Sequence, residues 1–312
     1  MKRPDLAVQI GSLHLQNPIM PASGAFGFEM EEVLDFNTLG ALVPKSITKY
    51  PRGGNVTPRV CEVNGGMINS IGIQSKGIDY YLEHILPEYE KFNTPLIASI
   101  SADSVEEYAE MAEVISKVPS VSGLEINISC PNLKGNGQAF GMNADISYDL
   151  VKLVKEATDQ PIITKLTPNV TNIQDIAIAC EEAGSDSLNV ANTILAMAID
   201  IHSQKPKIGN VLGGISGPAV KPIIVRLIYQ VRQVCSIPII GCGGVMNAED
   251  AIEMILAGAT AVQVGTASFV NPLAMIEIIN GLEQYMLDYQ VNHMDELIGK
   301  VHIPEVSIEC NV

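Results

Sequence analysis

Serine, lysine, carboxamide and glycine fall at the ends of short apolar runs: Ser23, Lys45, Ser99, Asn127, Lys165, Asn192 with Thr193, Gly243 with Gly244, and Gly265 with Thr266. A thiol, Cys130, follows Asn127 within "LEINISCPNLKGNGQAFG" (124–141). A lysine so placed can form a Schiff base with a carbonyl substrate or neutralise an anionic ring. A thiol there can be a nucleophile, a base in proton transfer, or inert, and most free cysteines are inert. Taken singly, each lysine reads as snorkelling to solvent and each amide as a helix cap. Taken together at one set of run ends, they read as a polar ligand site.

The glycines carry the most mechanical inference. "GCGG" (241–244) and "GT" (265–266) each follow a strand-like run and precede a helical one. Bare N–H groups at such junctions hold phosphates, and Gly217 from "GGISGPA" is placed to join them. Simple turn chemistry remains the plainer reading for any single glycine. No Walker A or GxGxxG fingerprint is present, and "GNGQAFG" has the wrong spacing for one.

These residues need a scaffold that brings many strand ends to one face. The apolar or alternating runs are 17–23, 41–47, 95–101, 123–129, 161–166, 186–192, 237–243 and 260–266. Amphipathic stretches at 104–118, 147–158, 172–184, 221–235 and 247–259 lie between them, and Gly184 and Gly258 sit where helix C-caps belong. Eight such units predict parallel strands closed into a (β/α)₈ TIM barrel, with chemistry at the C-terminal strand ends. Connections 48–94 and 193–220 are far longer than the rest and read as functional insertions at that face. No composition break divides the chain, so residues 1–312 are expected to be one barrel domain.

A net charge of −16 with scattered Lys and Arg argues against a nucleic-acid partner. No run of about 18 apolar residues occurs, and the N-terminus lacks the apolar core of a signal peptide. The six cysteines are far apart with no CxxC pair, which favours free thiols in a reducing cytoplasm and no iron–sulfur cluster held by this chain. No metal site is expected.

Residues now quoted in order and spacing add a likeness. The sequence resembles the dihydroorotate dehydrogenases, flavin enzymes of pyrimidine synthesis, over almost the whole chain. The segments are "NPIMPASGAFGF", "GNVTPR", "MINSIGIQ", "INISCPN", "KLTPNVT", "ANT", "GGISGPAVKP", "PIIGCGGV" and "AGATAVQVGTA". Cysteine in "SCPN" resembles class I, and "ASGAFGF" and "NGQAFG" resemble its NAD-linked bacterial subclass, class IB. "PKSI" and "INSIG" are similar to the fumarate-linked form.

The resemblance implies FMN contacts at Ser23, Lys45, Ser46, Ser99, Asn127, Lys165, Ala191, Gly217, Gly243, Gly244, Gly265 and Thr266. It implies dihydroorotate or orotate contacts at Lys45, Asn69, Ser70, Ile71, Gly72, Ile73, Asn127, Asn132, Asn192 and Thr193. Cys130 would be the base that takes the C5 proton, Lys45 would pair with the substrate carboxylate, and Lys165 would balance charge on reduced flavin. Apolar surface segments suggest a homodimer, and the resemblance implies an electron-transfer subunit carrying FAD and a [2Fe–2S] cluster, with which the chain would form a heterotetramer. Ala25, Ser46, Val56, Ser99 and Ala191 depart from the subclass pattern. They admit a divergent paralogue using fumarate, another acceptor or a related dihydropyrimidine. A Lys165 Schiff-base aldolase and a non-catalytic flavoprotein subunit are the other readings.

Overall fold

The computed structural model describes residues 3–129 and 139–304. Seven parallel strands form one sheet: β1 (Ile19–Pro21), β2 (Leu96–Ile100), β3 (Val121–Asn127), β4 (Ile162–Lys165), β5 (Ser187–Val190), β6 (Ile239–Cys242) and β7 (Ala261–Val264). Their order is β1-β7-β6-β5-β4-β3-β2. β2, β4, β5, β6 and β7 are buried along their whole length, as expected of strands packed inside against one another and outside against helices.

Segment 40–47 fills the eighth place. Gly40 N donates to Ile19 O on β1 at 2.8 Å, while Leu42 and Ile47 bridge Leu96 and Ile100 on β2. The predicted strand 41–47 is therefore two bridges and no regular ladder. Pro44 between them has no N–H to donate.

Helices α1 (Val105–Ile115), α2 (Ala144–Ala157), α3 (Ile173–Glu182), α4 (Lys221–Arg232) and α5 (Ala248–Ala257) cover the outside, close to their predicted spans. Each of α1, α2, α3 and α5 begins at a side-chain cap: Ser104, Asn143, Asn172 and Asn247 accept from the first-turn backbone. Gly184 and Gly258 follow α3 and α5 at φ +101° and +130°, a region open chiefly to glycine. A further helix, α6 (Ala274–Asp288), packs on α5 and β1.

The two long connections fold together. Val60–Val63, Gly66–Asn69, Gly213–Ser216 and Ile194–Ala196 make one antiparallel four-stranded sheet, with Asn69 opposite Gly214 and Ile194 opposite Ile215. Each connection thus supplies the other's hydrogen-bond partners, which anchors both over the strand ends.

Candidate active site

Polar side chains inside the barrel gather around a carboxylate. Glu125 on β3 is fully buried and accepts from Ser99 Oγ at 3.0 Å, Asn189 Nδ2 at 2.9 Å and Gln263 Nε2 at 2.7 Å. Lys165 Nζ, 4% exposed, donates to Gln263 Oε1 at 3.0 Å and lies 3.9 Å from Glu125 Oε2. Ser46 and Ser99 share a hydrogen bond of 2.8 Å beneath this group, at 2% and 0% exposure.

Burial pushes the Glu125 carboxyl up, but Lys165 and the three donors outweigh it and hold it below the usual carboxylate range. Burial pulls the Lys165 ammonium down, while the Cys242 sulfur and Glu125 raise it to a net position above the usual lysine range. Burial also pushes Cys242 up, so it is a neutral thiol near pH 7 and Glu125 is the counter-charge that acts there. An amine held as ammonium is a poor Schiff-base nucleophile, which counts against the aldolase reading.

Just beyond, at the C-terminal strand ends, Asn192 Nδ2 donates to Asn127 Oδ1 at 3.3 Å. The hydroxyl of buried Tyr108 on α1 bonds the Asn127 carbonyl at 2.5 Å and pins the end of β3. Asn127 Oδ1 also accepts from Ser129 N at 3.2 Å. Asn69 enters from the four-stranded sheet, its Nδ2 3.4 Å from Gly214 O, and a Cβ on Gly214 would overlap Thr193 Oγ1. Asn69, Thr193 and the Asn127–Asn192 pair are therefore brought to one side of the site.

Residues 70–73 are held by their own loop and by Asn210 from the second long connection. Asn55 Nδ2 and Asn210 Nδ2 donate to Ser70 Oγ at 2.9 and 3.0 Å. Asn55 N bonds Ile71 O at 3.0 Å, and the Arg59 guanidinium ties Gln74 Oε1 at 2.8 Å to Gly53 O at 2.9 Å. Gly72 and Ile73 both have positive φ, +75° and +46°. Lys45 is half-buried and lies along Gly24, next to Ser23: a Cβ on Gly24 would come within 3.6 Å of Lys45 Nζ. Cys130 and Asn132 lie outside the described residues.

On the opposite side three glycine segments meet. Thr266 Oγ1 donates to Ser216 Oγ at 2.9 Å, joining the end of β7 to the second long connection just before Gly217. A Cβ on Gly244 would lie 2.6 Å from Lys221 Cβ, so the end of β6 abuts the start of α4 four residues after Gly217. Between the segments and Lys165, Ala22, Ala25 and Cys242 form a small buried apolar patch separate from the main core. Ala191 N bonds the Cys242 carbonyl at 3.0 Å and places Ala191 beside it.

A flavin mononucleotide needs phosphate donors, a cation at the anionic edge of its ring and a floor of small side chains. The clustered glycines, Lys165 and the Ala22–Ala25–Cys242 patch answer those needs. Gly265 adds open space, because a Cβ there would meet only Ala22 Cβ at 3.5 Å. The residues present fit the group. Glu125, Asn189 and Gln263 were absent from the sequence expectations. Only Gln263 carried a signal, as a lone polar residue inside the apolar run 261–264.

Comparison with known proteins gives the family. Residues 5–286 match the family model described as dihydroorotate dehydrogenase. Three relatives are each named dihydroorotate dehydrogenase B (NAD(+)), catalytic subunit. One, from Desulforamulus reducens, is 50% identical over 96% of this chain and 99% of its own length. One from Geobacter metallireducens is 48% identical over 97% and 100%, and one from Geobacillus kaustophilus is 50% identical over 95% of each.

Proposed function

The chain belongs to the dihydroorotate dehydrogenase family, and on that premise we propose that it oxidises (S)-dihydroorotate to orotate in pyrimidine biosynthesis with FMN as its bound cofactor. The observation that carries this is the meeting of buried Lys165, the Asn127–Asn192 pair and the glycine cradle at one barrel face. Electrons then leave to NAD⁺ through a partner subunit carrying FAD and a [2Fe–2S] cluster. The relatives' designation as catalytic subunits of NAD⁺-linked enzymes supports that route.

In this reading Asn69, Asn127, Asn132 and Asn192 offer the pyrimidine dione its alternating donors and acceptors, and Lys45 pairs with the substrate carboxylate. The loop 69–73, Thr193 and the four-stranded sheet close around the substrate and keep water out. Cys130, as thiolate, takes the proton from C5. When bound, FMN supplies the acceptor for the hydride from C6. Lys165 holds a positive charge beside the ring, where negative charge develops on reduction. Gly217, Gly243, Gly244, Gly265 and Thr266 hold the phosphate through backbone N–H groups, and Ser23, Ser46, Ser99 and Ala191 complete the walls.

Exposed apolar side chains on the second long connection, among them Leu195, Ile199 and Ile201, support association with a second copy or the partner subunit. Among the described residues no helix is long and apolar enough to cross a membrane. One large core runs from Leu6 to Leu297, in keeping with a single working unit.

Anaerobic mixing of the purified chain with dihydroorotate tests the reading, with flavin absorbance as the signal. Bleaching is expected, with reoxidation by NAD⁺ only when the partner subunit is added. A yellow protein that no dihydropyrimidine bleaches would leave a non-catalytic flavoprotein; rapid reoxidation by fumarate alone would replace the NAD-linked acceptor.

The cradle glycines differ in a checkable way. Gly244 has φ +89° and no room for a Cβ, so Gly244→Ala should lower stability by more than about 1 kcal/mol with or without ligand. Gly265 has φ −113° and open space before it. Gly265→Ala should stay within about 1 kcal/mol of wild type in urea unfolding as apoprotein, yet bind FMN at least about tenfold more weakly, since about 1.4 kcal/mol of obstruction suffices. Equal FMN affinity in Gly265→Ala would remove that glycine from the phosphate site.

A further inference from the structure

We propose that Glu125 is a positioning residue for Lys165: clamped by Ser99, Asn189 and Gln263, its carboxylate fixes where the lysine ammonium sits and keeps its charge constant toward the flavin that the site would hold. The proposal rests on the reading that a flavin lies against Lys165, and its test separates the two.

A glutamate with no exposure at the centre of a barrel is costly unless every oxygen is occupied. Here Oε1 takes the Ser99 hydroxyl, and Oε2 takes both the Asn189 and Gln263 amides. The clamp is built from four strands, since Ser99, Glu125, Asn189 and Gln263 stand on β2, β3, β5 and β7. Gln263 is the hinge of the arrangement. Its Nε2 donates to Glu125, which forces its Oε1 toward Lys165 Nζ at 3.0 Å and Asn189 Nδ2 at 2.8 Å. The orientation of one amide thus transmits the carboxylate's charge into a single position for the ammonium. A Gln263 amide turned over would point its NH₂ group at the ammonium and expel it, and the carboxylate is what prevents that turn.

Among the described residues Asn189 Oδ1 is buried without a hydrogen-bond partner, so the clamp keeps Asn189 turned with its donors toward Glu125 and Gln263 at the expense of its own acceptor. The ionisable groups facing Lys165 among the described residues are Glu125 from β3 and Cys242 from β6; its other neighbours, Gln263 and Asn189, are neutral amides. With Cys242 a thiol, the Glu125 carboxylate is the counter-charge that, with the Gln263 carbonyl, holds the lysine as ammonium against the cost of burial. A constant charge beneath the ring matters for a flavin that must pass electrons onward, because a lysine that titrated would make the driving force drift with pH.

The test is the flavin midpoint potential against pH in holoenzyme, wild type and Glu125→Gln. Glutamine keeps the shape and removes the charge. Wild type should show no break assignable to a lysine, whereas Glu125→Gln should gain one extra break below the ordinary lysine range, abolished in Glu125→Gln/Lys165→Met. A variant curve parallel to wild type would overturn the proposal. A direct reading of the lysine covers the case in which the variant does not fold. The ¹³Cε resonance of Lys165 in the wild-type protein, assigned by its loss in Lys165→Arg, should not titrate until above the ordinary lysine value. Titration below that value overturns the proposal. A colourless protein with an untitrating Lys165 would instead keep the clamp and sink the flavin reading.

Discussion

Replacing Cys130 by alanine is expected to slow flavin reduction by dihydroorotate on the order of 10²- to 10⁴-fold, the usual worth of a positioned general base, while the protein stays yellow. The separation of the two effects follows from where the proposed cofactor contacts lie. The segments proposed to hold the phosphate join through Thr266 and Ser216, and the Lys165 ammonium is held by Gln263. None of these contacts depends on residue 130. The substrate contacts proposed at Asn127 and Asn192 would also remain, so dihydroorotate should still bind and its KM should change far less than kcat. Cys130→Ser should retain more activity than Cys130→Ala and shift its pH optimum upward, because a hydroxyl ionises less readily than a thiol. Stopped-flow bleaching of the flavin across pH reads each step. A Cys130→Ala variant reduced at the wild-type rate would remove Cys130 from the proton transfer and leave the base to be found among the groups around Asn127.

What the sequence made legible, and what it hid, divides along physical lines. Parallel strands buried on both faces read as apolar runs, and Asn and Ser caps followed by amphipathic stretches mark the helices, so the barrel and its strand ends were visible. The pairing of the long connections was hidden. Val60–Val63 and Ile194–Ala196 are short and largely exposed, and the strands that join them meet at Asn69 and Gly214, 145 residues apart in the chain. Strand β3 shows the limit most clearly. Its alternation of Leu124 and Ile126 with Glu125 and Asn127 looks like an apolar face and a polar one. In a closed barrel the polar face is also interior, and Glu125 became the centre of the buried network. No local pattern announces that, because the partners Asn189 and Gln263 lie on strands 64 and 138 residues away. Gly243 and Gly244 were legible as turn residues, but the abutment of α4 that forbids a side chain at Gly244 is a tertiary fact.

The same network makes Lys165→Met a severe change in the apoprotein as well as in the holoenzyme. Methionine matches the lysine stem but leaves Glu125 buried with no compensating charge, a defect worth about 3–5 kcal/mol when one partner of a buried pair is removed. The three remaining donors to Glu125 soften the loss without cancelling it, since amides and a hydroxyl carry no net charge. The pH dependence has a definite sign. In wild type Glu125 ionises below its ordinary value, so its contribution is fully present above the ordinary carboxylate range and is lost as pH falls through the depressed value. In Lys165→Met only the three neutral donors oppose burial, which raises Glu125 above that range, so the variant recovers stability as pH falls and the carboxyl takes up its proton. The variant's trend narrows the difference first and the wild type's adds to it only below the ordinary carboxylate range, so urea unfolding should show the largest gap near pH 8 and a smaller one near pH 5. Adding Glu125→Gln to Lys165→Met should restore a large part of the lost stability at neutral pH, because the unpaired charge is gone; a cycle of the four proteins isolates the coupling. A deficit below about 1 kcal/mol at neutral pH, unchanged by acid or by the second substitution, would mean that Glu125 and Lys165 are not an energetically coupled pair.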